Sequence, residues 1–266
     1  MKTLRLYLRS MAILLKSRLQ YPASFLMQTA AQLIMEGGEF MAVLLIVDRF
    51  DSLNRYTPGN LYFFFGIMSV SFYITEFMGR GITGRFPGLV REGGLDTLLT
   101  RPRGVLTQVL SSDIDPRRIA CIAVGVAALV MGSRLSGISW SFAKALLLAE
   151  AVLFSVFLVM GLFMIEAVFC IYSVKSVELV NVLTYGGRSA CQYPMDIYPR
   201  PLRALFTIVA PFALTQHAPA AYILDKPLYN WPAWAAYVAP LSGLTVFAVM
   251  ACAFHAALKH YRSTGS

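Results

Sequence analysis

Gln28, Gln32, Glu36 and Glu39 recur at intervals of four, four and three residues inside the otherwise apolar run 22–47. At about 100° per residue the four share an arc of roughly 80° on one helix face. Amides and carboxyls on such an arc can hold a cation or proton, bind a polar cargo, or hydrogen-bond a neighbouring helix. Against hydrocarbon each would cost on the order of a few kcal/mol, so the face must meet protein or water. It is either a packing surface within a bundle or a translocation path or subunit seam. Two acids exceed what packing normally requires, and Gly37 and Gly38 beside them permit close approach or a local bend.

Other polar residues offer less. Glu76 precedes Arg80 by four residues, the favourable order for an ion pair at a span boundary. Glu150 and Glu166 are 16 residues apart, about 160° around a helix, and form no local dyad. His217, His255 and His260 are isolated, and Cys121, Cys170, Cys191 and Cys252 lack paired metal-ligand spacing, so neither a metal site nor a disulfide framework is expected. No nucleophile and base gather at one depth, which argues against an intramembrane enzyme. A phosphate cradle of the form Gly-x-x-x-x-Gly-Lys-Ser/Thr is missing, so ATP hydrolysis on this chain is not expected.

The elements positioning these groups are set by composition. Apolar residues make up 57% of the chain and charged residues 14%, and the mean hydropathy is +0.62, values that place most side chains in lipid. Six stretches approach the roughly 20 residues needed to cross a bilayer: 22–47, 61–79, 119–135, 144–172, 204–224 and 234–258. These features describe an all-α polytopic membrane protein with six transmembrane helices in 22–258. An interfacial amphipathic helix over 1–21 precedes them, turned upward by Pro22; a cytoplasmic loop spans 80–118 and a tail 259–266. A cleaved signal peptide is not expected, because the apolar run is too long and contains two glutamates.

Lys and Arg set the orientation. Five lie in the N-terminal segment, seven in 80–118, four in 173–203 and two at the C-terminus, against Arg49, Arg55, Arg134, Lys144 and Lys226 on the other side. Both termini are therefore expected in the cytoplasm, with 173–203 on the same face. A re-entrant fold of that segment at the outer face would redraw the fourth and fifth spans. The net charge of +9 is mostly this orientation signal and draws the inner face toward anionic lipid; it does not imply nucleic acid.

The loop 80–118 is too apolar for a linker. Asp96 is expected to cap a short helix through Leu98 and Leu99, Pro102 to end it, 105–110 to form another, and Asp115-Pro116 to start the third span. Short amphipathic helices with arginines under a bundle suit a docking surface for a cytosolic partner, or else a surface-lying loop bound to lipid headgroups.

Three stretches carry a family likeness. Arg91-Glu92-Gly93-Gly94-Leu95-Asp96-Thr97-Leu98-Leu99-Thr100-Arg101-Pro102 is one. Tyr193-Pro194 through Tyr198-Pro199 to Leu202 is another, and Pro211-Phe212-Ala213 with Ala218-Pro219-Ala220 is the third. In order and context they resemble the membrane subunits of type-2 ATP-binding-cassette transporters, in particular the compact six-helix bacterial permease branch. The resemblance implies an exporter half in the bacterial cytoplasmic membrane. A second permease copy or paralogue would complete the path, and two cytosolic ATPase subunits would carry ATP and Mg. The segment 94–102, with Arg91 and Glu92, would be the ATPase-coupling element, and the cargo hydrophobic or amphipathic. Pro211 and Pro219 are expected to kink the fifth span as a hinge or a packed bend. The competing function is an ion-coupled secondary transporter using Glu36 or Glu39, against which the lack of a convincing inverted repeat counts.

Overall fold

Prolines open the first two long helices. Helix α1 (Lys2–Leu19) gives way at Pro22 to α2 (Pro22–Phe50), and Pro58 begins α3 (Pro58–Arg80). Its ring supplies no N–H at a position where that donor would be unpaired anyway. Asn60 Oδ1 accepts the Thr57 N–H at 3.1 Å, closing the start of α3. In this computed structural model the described residues are 2–50, 55–172, 180–227 and 231–261, and all regular structure among them is helical.

A π-helical turn, Gly81–Arg85, carries α3 into three short helices, α4 (Phe86–Arg91), α5 (Leu95–Leu99) and α6 (Val105–Leu110). Two long helices follow, α7 (Arg118–Leu135) and α8 (Phe142–Tyr172). The chain then breaks into pieces: a π turn Val182–Gly186 with α9 (Gly187–Cys191), α10 (Arg200–Ala204) with the π turn Leu205–Val209, and the π turn Ala213–His217 with α11 (Ala218–Ile223). After α12 (Ala235–Val238) the last long helix is α13 (Ser242–His260). Four described segments are long and apolar enough to cross a membrane: Pro58–Arg91, Arg118–Leu135, Phe142–Tyr172 and Ala235–His260. Helix α2 has the length as well, at 29 residues.

Most of α3 is buried. Glycines allow α7 to lie directly on it: a Cβ added at Gly132 would fall 2.5 Å from the Phe63 nitrogen, and one at Gly66 2.7 Å from the Leu129 nitrogen. Gly59 and Gly66 face Gly125 and Gly132 at matching heptad spacing, the small-residue seam by which helices associate where lipid competes with apolar contacts.

The bundle has two ends. At one, the Tyr7 hydroxyl donates to the Met78 carbonyl, Arg18 pairs with Asp113 at 3.2 Å, and Tyr261 lies beside Asp96. The first helix, the loop helices and Tyr261 therefore share one side. At the other end Tyr56 donates to Asp196 at 2.6 Å, Lys226 to the Arg55 carbonyl at 2.9 Å, and Lys144 pairs with Asp225 at 2.8 Å.

That second set corrects the expected topology. Residues 193–199 lie opposite the basic loop, not beside it, because Asp196 meets Tyr56. From there the chain dips inward through Phe206 to Phe212, whose rings pack 6.3 Å apart in the core beside Phe72 and Phe163, and returns at His217 to Asp196. The stretch 204–224 is thus a re-entrant hairpin, not one continuous span. Pro211 stands at its reversal after Ala210 and is no kink in a continuous helix, while Pro219 sits buried in the first turn of α11. Three prolines within 194–201 deny the chain a regular helix there and permit the excursion. Lys175, also counted with this segment, lies outside the described residues.

Candidate functional site

Every member of the α2 stripe meets a partner from a distant part of the chain. Nearest the loop end, Gln28 accepts from Arg117 at 2.6 Å. One turn on, Gln32 accepts from Arg118. Deeper, Glu36 is 1% exposed and takes three partners: the Tyr73 hydroxyl donates to it, Ser69 donates at 2.8 Å, and Arg188 Nη2 lies 2.7 Å away, stacked over the Tyr73 ring. The same guanidinium reaches Glu39 at 2.7 Å, and Gln192 donates to Glu39 at 3.0 Å. Ser69 is at the middle of α3, about 16 Å from either end, and Tyr73 is one turn nearer the loop end, so this cluster lies at mid-bundle.

The elements explain the geometry. Arg117 and Arg118 stand at the start of α7, which the glycine seam holds against α3. Arg188 is in α9, brought inward because Gly187 lets the rings of Phe206 and Phe212 approach; a Cβ there would come within 2.7 Å of Phe212. Two acids in a low-dielectric interior demand a cation with enough donors to satisfy both, and guanidinium provides five.

Glu76 departs from expectation. It does not pair with Arg80; its partners are Arg118, whose Nε lies 2.9 Å away as an ion pair without a directed hydrogen bond, and the Tyr185 hydroxyl, donating at 2.8 Å. Arg80 keeps its helical spacing to Glu76 within α3 but lies against Gly84 in the π turn that follows. Arg118 also approaches Asp115 at 3.3 Å, and Asp115 receives two hydrogen bonds from Arg117, at 2.6 and 2.8 Å. Asp115 therefore serves these arginines and does not cap α7, whose first residue is Arg118. From Asp115 through Glu76 and Glu36 to Glu39 the polar groups form one seam between α2, α3, α7 and α9. It runs from the loop end to mid-bundle, where Glu39, 40% exposed, opens between α2 and α9.

Burial acts to raise the Asp115 carboxyl, but the hydrogen bonds and charge of Arg117, with Arg118 and Arg80 nearby, hold it below the usual carboxylate range. A depressed folded pKa contributes stability that is fully present above the unfolded value of about 3.9 and is lost as pH falls through the folded one. Asp115→Asn should accordingly lower the melting temperature of the detergent-solubilised chain at pH 7, with the gap to wild type closing below about pH 4. A gap independent of pH would show that the charge of Asp115 is not what matters.

The loop helices place the residues of 91–102 one by one. Leu95 is fully buried and Leu98 packs against the core, whereas Leu99, Arg91, Glu92, Arg101 and Pro102 are exposed. Gly94, not Asp96, is the residue before α5, after Gly93 turns the chain with φ of 72°; Asp96 lies in the first turn and engages Tyr261. Arg85, Leu98, Gly94, Arg101, Pro102 and Arg103 line a cavity of about 720 Å³ on this side.

Several residues of the seam were not singled out from sequence. Arg188 reads as a loop cation there; two acids within the apolar run 22–47, which holds no Lys or Arg, are the signal that a cation must come from elsewhere. Tyr73, Tyr185 and Gln192 carry no such signal. At the opposite end, His217 is buried, accepts the Met195 N–H through Nδ1 at 3.2 Å, stacks on Phe64 and faces Asp196 at 3.8 Å. It closes the re-entrant hairpin.

A sequence model of the family described as ABC-2 family transporter protein matches residues 33–265. No curated protein and no solved structure matches the chain.

Proposed function

The chain belongs to the ABC-2 family of transporter proteins, and from that premise we propose that it is the permease subunit of an ATP-binding-cassette exporter. It is a multi-pass membrane protein. In the proposed assembly α2 and the broken segment 180–223 complete six membrane passages, with the loop end and both chain ends in the cytoplasm of a bacterium. Two copies, or this chain and a paralogue, form the path, and two cytosolic ATPase subunits bind ATP and Mg and drive the export of a hydrophobic or amphipathic cargo.

The observation that carries this reading is the polar seam, continuous from the loop end to mid-bundle and open between α2 and α9. The exposed faces there, including Ile34, Met35 and Val182, suit a second permease against which Glu39 would face the path. ATP-driven closure of the ATPase pair would push on Leu99, Arg101 and Pro102. Leu98 and the core beneath would pass the movement to α3 and α7, shifting the arginines that hold the stripe. Cargo affinity must differ between the two resulting states for transport to follow.

Ion-coupled transport by Glu36 or Glu39 is the second reading. The single guanidinium that already engages both carboxylates weighs against it. Reconstitution separates the two: chain co-reconstituted with its ATPase should move cargo only when ATP is supplied, and chain alone should move none under a proton or sodium gradient. Gradient-driven uptake by the chain alone would overturn the cassette reading.

A further inference from the structure

Between α1, the start of α2 and the strand of loop before α7, a polar cavity of about 490 Å³ collects Arg18, Arg85 and Arg117 around Ser24 and Tyr21, with Asp113 as its one acid. Two of the guanidiniums are already matched, Arg18 by Asp113 at 3.2 Å and Arg117 by Asp115 at 2.6 Å. Arg85 is different: it donates to the Ser112 carbonyl at 3.2 Å and, among the described residues, forms no ion pair. The first turn of α2 also borders the cavity, and the positive end of its helix dipole adds to the potential there.

Depth decides what anion this is. Ser24 is in the first turn of α2 and Arg117 immediately precedes α7, so the cavity sits at the level where the apolar spans begin, the headgroup zone of a bilayer. Its apolar walls are Leu14 and Phe25, and the neighbouring α2 residues Leu26 and Met27 turn outward, 65% and 74% exposed, leading from the cavity along a lipid-facing surface. A soluble anion would use the cations alone; a phospholipid would use cations and that apolar track together.

We propose that this cavity binds an anionic phospholipid, its phosphate on Arg85 and the α2 N-terminus and its acyl chains along Leu26 and Met27. A lipid held there ties α1 to α2 beside Gln28, the first rung of the polar seam. The proposal requires only that the chain reside in a bilayer, and stands or falls separately from the ATPase reading.

Native mass spectrometry of the full-length chain, exchanged into micelles containing equal phosphatidylglycerol and phosphatidylcholine, tests it. Wild type should retain phosphatidylglycerol with a several-fold preference. Arg85→Gln should lose that preference and Arg85→Lys keep most of it, since roughly 1 kcal/mol per basic residue near an anionic surface corresponds to about fivefold. Arg101→Gln, in the other cavity, should retain it. Melting temperatures without lipid establish that the variants fold, and should Arg85→Gln not fold, the wild-type and Arg85→Lys preferences still decide. Equal retention of both lipids, or equal loss in Arg85→Gln and Arg101→Gln, overturns the proposal. So does full displacement by inorganic phosphate, which marks a free-anion site, or by added ATPase, which marks a protein contact.

Discussion

Arg188→Met should remove most of the folded protein. The substitution keeps an unbranched side chain of similar length but leaves Glu36, 1% exposed, without its cation and deprives Glu39 of its nearest one. Breaking a buried ion pair from one side costs about 3–5 kcal/mol, because the remaining charge stays desolvated and unpaired. That approaches the whole stability of a protein at the low end of the usual range, about 5 kcal/mol. The expected result is a collapse of monodisperse yield in detergent. Adding Glu36→Gln and Glu39→Gln to Arg188→Met should restore much of that yield, since neutral amides no longer need the guanidinium. Transport by the restored triple variant separates roles: if the cluster lines the route, flux per folded complex should remain at least about tenfold below wild type. Wild-type flux in the triple variant would make the cluster a packing device. Wild-type yield in Arg188→Met alone would show that the acids find another partner.

Leu99→Asp should abolish recovery of the ATPase with the permease while leaving the melting temperature within a degree or two of wild type. Leu99 is 44% exposed on α5 and contributes little to the core, so placing a charge there disturbs a partner rather than the fold. An apolar side chain at the centre of a protein interface is worth 2 kcal/mol or more, about thirtyfold in affinity. Leu98 makes the contrast. It packs against the buried cluster and its carbonyl accepts Gln108 at 3.0 Å, so Leu98→Asp should lower the melting temperature as well as the copurification. Undiminished ATPase recovery with Leu99→Asp would remove the coupling assignment from this loop.

The α2 stripe was legible because helical periodicity is local: residues four apart share a face whatever the rest of the chain does. The same locality failed for Glu76 and Arg80. Their spacing was right, but Arg118 arrived across the glycine seam to pair with Glu76, and Arg80 lies against Gly84. Asp96 and Asp115 were read as helix caps on the same local grounds, and tertiary neighbours, Tyr261 and Arg117, claimed both. The three prolines within 194–201 announced an irregular backbone but not its direction. Only the contact of Asp196 with Tyr56, 140 residues apart, placed it at the end opposite the basic loop.

Composition and periodicity alone determined that this is a helical membrane chain with a polar face on its first long helix and a basic, partly apolar loop. Those properties depend on side-chain solvation and on 3.6-residue geometry, which neighbouring residues in sequence settle. Which cation answers which acid, and that residues 193–217 turn back into the bundle, were decided by tertiary structure. A buried carboxylate selects its partner by distance in space, and the approach of α9 to α2 depends on packing among segments more than a hundred residues apart.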